Sequence, residues 1–153
     1  MKRRILLQGL ALGTLFPGAA LQLAAQPLVE VYLNPSCGCC GAWVNHLSEN
    51  GFTVKVIQVE DTGEYRSKFK MPEKFASCHT ALVGGYAIEG HVPAREIKRL
   101  LKEKPKAVGL AVPDMPMGSP GMEGPRGDAY DVLLIDAKGV SRVYAHYPMR
   151  KSA

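Results

Sequence analysis

Four cysteines carry most of the chemistry available to this chain. Three of them lie together in Cys37-Gly38-Cys39-Cys40, and the fourth is Cys78. A thiolate, not a thiol, attacks disulfides and binds soft metals. It is stabilised where unpaired backbone N–H groups and the helix dipole meet at a helix N-terminus. The flanking residues predict such a place. Leu28-Val29-Glu30-Val31-Tyr32-Leu33 alternates as a strand, and Ala42 to Asn50 carries Trp43, Val44 and Leu47 at helical spacing before Gly51 stops it. The cysteines therefore belong on a strand-to-helix turn, with Cys39 and Cys40 in the first helical turn.

Two patterns overlap there. Cys37 and Cys40 form C-x-x-C, the redox spacing, while Cys39 adds a third sulfur that a dithiol enzyme does not need. Adjacent Cys39 and Cys40 point in different directions, which suits bridging several ions better than closing on one small ion. The pattern favours a polynuclear thiolate site over the ordinary zinc arrangement of two C-x₂-C pairs. The plain alternative is a structural disulfide with one spare thiol.

The elements that must hold these sulfurs follow in order. Phe52 to Val59 alternates as a half-buried strand, and Asp61 to Lys70 reads as a short helix ended by Pro72, with Glu60-Asp61 as solvated loop start and cap. Ala81-Leu82-Val83, a Gly84-Gly85 turn and Tyr86-Ala87-Ile88-Glu89 make a hairpin with Cys78 at its entrance. A third helix runs from Ala94 to Lys104 with Ile97, Leu100 and Leu101 inward and Pro93 at its start. Strand, helix, strand, helix, strand, strand, helix is the thioredoxin-like order. In that layout the loop before the third strand faces the first helix's N-terminus, which brings Cys78 to the other three cysteines. The fold class is α/β, a central mixed sheet flanked by helices, with a Gly/Pro/Met-rich loop and a C-terminal hairpin. That loop, Gly109 to Gly127, holds Met115, Met117 and Met122, either as packing or as thioethers covering a soft-metal site. Tyr130 to Asp136 and Val140 to Tyr147 form the last hairpin around Lys138-Gly139.

Among the histidines, His79 is a ligand, a proton donor to the thiolates, or a local hydrogen-bonding group. His91 is read as capping or orienting the third helix. His46 lies on the first helix beyond the sulfurs, and His146 offers no spacing argument. No Ser/His/Asp set and no phosphate-cradling glycine loop is visible.

The length of 153 residues allows one domain with a real core. Basic Lys2-Arg3-Arg4, an apolar stretch from Ile5 to about Leu23 and small Ala24-Ala25 read as a cleavable export signal over residues 1–25, leaving 26–153 as the domain. Gly9, Gly13, Pro17 and Gly18 interrupt the apolar stretch, so a permanent membrane span is not expected. Arg3-Arg4 resembles a twin-arginine signal only loosely, and the Sec and Tat routes both stay open. The formal charge of +5 falls to +2 without the three basic signal residues, 16 basic against 14 acidic. That balance, with no basic run interleaved with aromatics, argues against a nucleic-acid partner. The mature chain is expected outside the cytoplasm, where thiols oxidise unless metal or a reductant protects them.

Taken together, Cys37-Gly38-Cys39-Cys40, Ser77-Cys78-His79-Thr80, Glu89-Gly90-His91-Val92-Pro93 and the loop from Gly109 to Glu123 resemble CopG-type copper resistance proteins, a family formerly catalogued as a domain of unknown function. The resemblance runs from Tyr32 to about Tyr147. It implies a thioredoxin-like periplasmic protein of copper resistance that binds several copper ions through Cys37, Cys39, Cys40 and Cys78. It also implies interconversion of Cu(I) and Cu(II), the activity of a copper oxidoreductase, and dealings with other periplasmic copper-handling proteins. Soft thiolate and thioether ligands agree with Cu(I). The rivals are a thiol–disulfide oxidoreductase, with Cys37 as nucleophile and Cys40 as resolving thiol, and a zinc or iron–sulfur protein using the same four sulfurs.

Overall fold

The computed structural model describes residues 27–150. The export signal expected over residues 1–25 lies outside the described residues. The elements are β1 (Val29–Leu33), α1 (Gly38–Glu49), β2 (Val54–Gln58), α2 (Thr62–Lys68), a 3₁₀ turn (Glu73–Phe75), β3 (His79–Val83), β4 (Tyr86–Gly90), α3 (Ala94–Glu103), β5 (Gly109–Val112), β6 (Tyr130–Ile135) and β7 (Ser141–Tyr147).

All seven strands join one mixed sheet in the order β2-β1-β3-β4-β5-β6-β7. β1 pairs parallel with β2 and antiparallel with β3, and β3 pairs antiparallel with β4. This first part is compatible with the thioredoxin-like layout. α3 then crosses over so that β5 runs parallel to β4, and β6 and β7 extend the sheet antiparallel. Among the described residues no helix is long and apolar enough to cross a membrane.

The period of two decides which face each side chain covers. Val29, Val31 and Leu33 point toward α1 and α3, where they meet Cys40, Trp43, Leu47, Ile97 and Leu100. Tyr32 points to the opposite face and stacks on Tyr65 of α2, ring centroids 4.1 Å apart. Met71, Phe75, Ala87, Ala111 and Ile135 fill that second face. Trp43 is completely buried and its indole N–H donates to the Val92 carbonyl at 2.9 Å. That bond ties α1 to the segment leading into α3 and satisfies a polar atom that burial would otherwise strand.

Two expectations are corrected. Gly109 to Val112 is a strand, not the start of a loop, because Leu110 and Val112 alternate into one core and Ala111 into the other. The irregular stretch is therefore 113–129. The cap of α3 also has a different author. The backbone N–H of Ala94 donates to His46 Nε2 at 3.1 Å, so His46 caps α3 from α1 while His91 turns elsewhere.

Candidate metal centre

The turn between β1 and α1 is shaped by Asn34. Its side-chain oxygen accepts from the Ser36 N–H at 2.9 Å, its carbonyl accepts from the Cys37 N–H at 2.9 Å, and its amide donates to the Glu60 carbonyl at 3.0 Å. Cys37 is the residue before the first helical turn, in extended conformation, with no side-chain cap. The free N–H groups of that turn thus remain next to the sulfurs.

Cys78 arrives from the other side, just before β3. A buried ion pair holds it there. Glu89 Oε1 accepts from the Ser77 N–H at 2.7 Å and from Arg66 Nε at 3.0 Å, and a second Arg66 nitrogen donates to the Ser77 carbonyl at 3.2 Å. Thr80 donates its hydroxyl to the remaining Glu89 oxygen. Both backbone groups of the residue preceding Cys78 are therefore fixed by one carboxylate and one guanidinium. Burial pushes the Glu89 pKa up, against the Thr80 hydrogen bond and the Arg66 charge, which pull it down.

As a result the Sγ atoms of Cys37, Cys39, Cys40 and Cys78 all lie within 4.8 Å of one another. The four residues singled out in the sequence are brought together. Cys37 and Cys40 are joined as a disulfide, and Cys39 and Cys78 are free thiols. Cys37 and Cys39 sulfurs are 3.6 Å apart. Burial, and then the neighbouring Cys39, push the Cys78 pKa up to about 12. A Cys78 thiol held protonated fits a cation that displaces its proton better than it fits a pre-formed reactive thiolate.

The loop 113–129 lies over this turn. Gly121, at φ +87°, passes so close to α1 that a Cβ there would sit 2.8 Å from the Trp43 backbone nitrogen. Met115 Sδ stands 3.8 Å from Cys39 Sγ. Of the three loop methionines, Met115 is the one whose sulfur meets a cysteine sulfur among the described residues.

Sequence reasoning missed the role of His91. Its Nε2 lies 3.1 Å from Cys78 Sγ and its Nδ1 lies 2.8 Å from the Pro120 carbonyl. His79 Nδ1 lies 3.2 Å from the same sulfur. Both rings are completely buried. Burial lowers both histidine pKa values, that of His79 to about 3 with help from His91. Glu-Gly-His-Val-Pro in the sequence reads only as a helix cap, although the hairpin turn at Gly84-Gly85 is the signal that could have found His91: continuing the observed register, Thr80 opposite Glu89, places it across from Cys78. His146 pairs with Asp131 at 2.7 Å, at the far end of the sheet.

Sheet, turn and donors define an α/β protein with a candidate soft-metal centre at the first strand-to-helix turn. Residues 75–122 match a family described as a protein of unknown function, DUF411. Two solved structures, described as copper resistance protein CopG in Form 2 and Form 1, are each 43% identical to this chain with a TM-score of 0.76. Both comparisons cover 80% of this chain, against 99% and 98% of the matched chains. No curated protein sequence gives a significant match. The chain belongs to the CopG family.

Proposed function

We propose that this is a periplasmic copper-binding protein of copper resistance, exported by a cleavable signal over residues 1–25. In this reading Cys37, Cys39, Cys40 and Cys78 hold more than one Cu(I) as a bridged thiolate cluster. The observation that carries it is the convergence of four sulfurs within 4.8 Å of one another. Sulfurs so close cannot serve separate mononuclear sites, and thiolates select soft ions. The kinship with copper resistance proteins supports copper over zinc or iron.

Loading requires the Cys37–Cys40 bond to open, which takes two electrons and two protons from a dithiol reductant. The reverse step gives a balanced route between copper states. Two thiolates closing to a disulfide release two electrons, enough to reduce two Cu(II) to two Cu(I). Cycling of that kind is the oxidoreductase activity we assign to the pair.

The test is an anaerobic titration of the reduced protein with Cu(I), scored by bound metal, free thiols and competition with a Cu(I) chelator. More than one tightly held copper per chain, with all four thiols protected together, supports the cluster. One copper or fewer refutes it. A second reading, thiol–disulfide exchange, is favoured by the Cys37–Cys40 disulfide itself. It requires Cys39→Ser and Cys78→Ser variants to keep full disulfide exchange with a model dithiol, whereas the copper reading requires both to lose bound copper.

A further inference from the structure

We propose that the end of the sheet opposite the sulfurs is a docking surface for an anionic bilayer, with lysine side chains on phosphodiester headgroups and two apolar tips entering the interface. This goes beyond the copper reading and does not rest on it, since no residue of the candidate metal centre takes part. The strand register fixes which residues share that end. Leu33 lies opposite His79 at the sulfur end, so Val29 opposite Val83 marks the other. There the chain turns between β3 and β4 at Gly84-Gly85, passes from α3 to β5 through residues 104–108, and turns from β6 into β7 through residues 136–140.

Lys68 and Lys70, at the close of α2, meet Lys106 around an open recess of about 470 Å³ that Phe69, Leu82 and Val108 also line. No acidic residue lines it. All three lysines are exposed, and none of them makes an ion pair among the described residues. Lys106 borders a second recess, of about 260 Å³, together with Arg142 and Val140. The one acid there, Asp136, is engaged by its own turn: Oδ1 accepts from the Lys138 N–H at 2.8 Å and the Val140 N–H at 2.9 Å. Like charges gathered without a counter-charge repel one another, and an anionic partner relieves that repulsion.

A bilayer fits better than a small anion because apolar tips stand at the same end. Leu28, just before β1, is 45% exposed, and Val140, just before β7, is 59% exposed. Basic side chains beside exposed apolar ones bind anionic membranes by burying the apolar part and attracting the headgroups. The opposite end carries the opposite sign: the loop 113–129 over the sulfur turn holds Asp114, Glu123 and Asp128 against Arg126. The molecule is thus polarised along its strands, and an anionic surface orients it with the lysines inward and the sulfur turn outward. The described chain also begins at this end, at Pro27 before β1, so the segment read as an export signal joins the domain on the side that meets the bilayer.

The test is sedimentation of the metal-free, full mature chain with vesicles of phosphatidylglycerol and phosphatidylcholine in equal parts, and with phosphatidylcholine alone. Binding is expected to the mixed vesicles only, and should fall steeply with added salt, which screens exposed charges. A basic residue near such a surface contributes about fivefold, so Lys68→Gln, Lys70→Gln and Lys106→Gln together should weaken binding about a hundredfold. The same charge removed elsewhere, by Lys55→Gln, Lys98→Gln and Arg126→Gln, should have a far smaller effect. Orientation is read by fluorescence against the constant background of the wholly buried Trp43. Emission from Val140→Trp should shift to the blue on vesicles, and emission from Met149→Trp, beyond the sulfur end of β7, should not. Equal binding to phosphatidylcholine, equal losses in the two triple variants, or a blue shift in Met149→Trp instead of Val140→Trp each overturns the proposal. Release by inorganic phosphate beyond that by chloride at the same ionic strength also overturns it, since the recess would then be a site for the free ion.

Discussion

Replacing Glu89 by alanine should unfold the support of the sulfur site before it touches a donor. Glu89 is fully buried and accepts from the Ser77 N–H, from Arg66 and from Thr80. Its removal leaves the Arg66 guanidinium, only 5% exposed, facing Glu73, whose side chain is 74% exposed. Breaking a buried pair from one side strands the other charge and costs about 3–5 kcal/mol. A single domain has about 5–15 kcal/mol in hand, so the melting temperature should fall by about 10–20 °C. Urea unfolding of the metal-free protein should show a lower midpoint with an unchanged slope, because the surface exposed on unfolding is the same. Arg66→Met combined with Glu89→Leu should recover only part of the loss, since it removes the stranded charge but leaves the Ser77 N–H, the Ser77 carbonyl and the Thr80 hydroxyl without these partners. A loss below about 1 kcal/mol for Glu89→Ala, the range of an exposed ion pair, would refute the reasoning. It would mean that Ser77 and Cys78 are held by the sheet alone.

Other perturbations address the site more directly. The folded His79 pKa of about 3 lies below its unfolded value of 6.5, so the unfolded chain binds the extra proton first. Stability contributed by neutral His79 is present above 6.5 and is lost as pH falls; at pH 5 the metal-free protein should be weaker by about 2 kcal/mol, at about 1.4 kcal/mol per unit. His79→Phe should flatten that part of the urea midpoint against pH curve, and an unchanged curve would count against it. Met115→Leu keeps the bulk of the side chain and removes its thioether; it should leave copper number unchanged while chelator competition strips Cu(I) several-fold more readily, or not at all if Met115 only packs. Trp43→Phe removes the hydrogen bond to Val92 and should lower stability by about 1 kcal/mol or more, read by the same unfolding assay.

The order of the elements and the convergence of the cysteines were legible because both rest on local signals. Alternation marks β1 and β2, helical spacing marks Trp43 and Leu47, and Gly84-Gly85 marks the hairpin turn. Placing Cys78 near the other sulfurs needed only the strand order. What escaped was set by contacts between distant residues. The cap read for His91 belongs to His46, for which the sequence offered no role, since the cap of α3 comes from another helix, across 48 positions of chain. Gly109 to Val112 looked like the head of a glycine-rich loop until its pairing with β4 gave its alternation a sheet to face. The Glu89–Arg66 clamp left no trace in sequence, because two charged residues 23 positions apart carry no periodicity of their own.

The residues that meet at the turn are scattered from Cys37 to His91, and the carbonyl that faces His91 Nδ1 belongs to Pro120. An unfolded chain offers only the short run Cys37 to Cys40, a loose chelate open to any thiophilic ion. Discrimination among metals arrives late, when β1, β3 and β4 pair and the loop settles on α1. Cargo acquired before that moment would be chosen by availability, and cargo acquired after it by fit. On the copper reading, the order of folding and loading would therefore decide which metal is taken, and a chain folded before it meets metal would be the selective form.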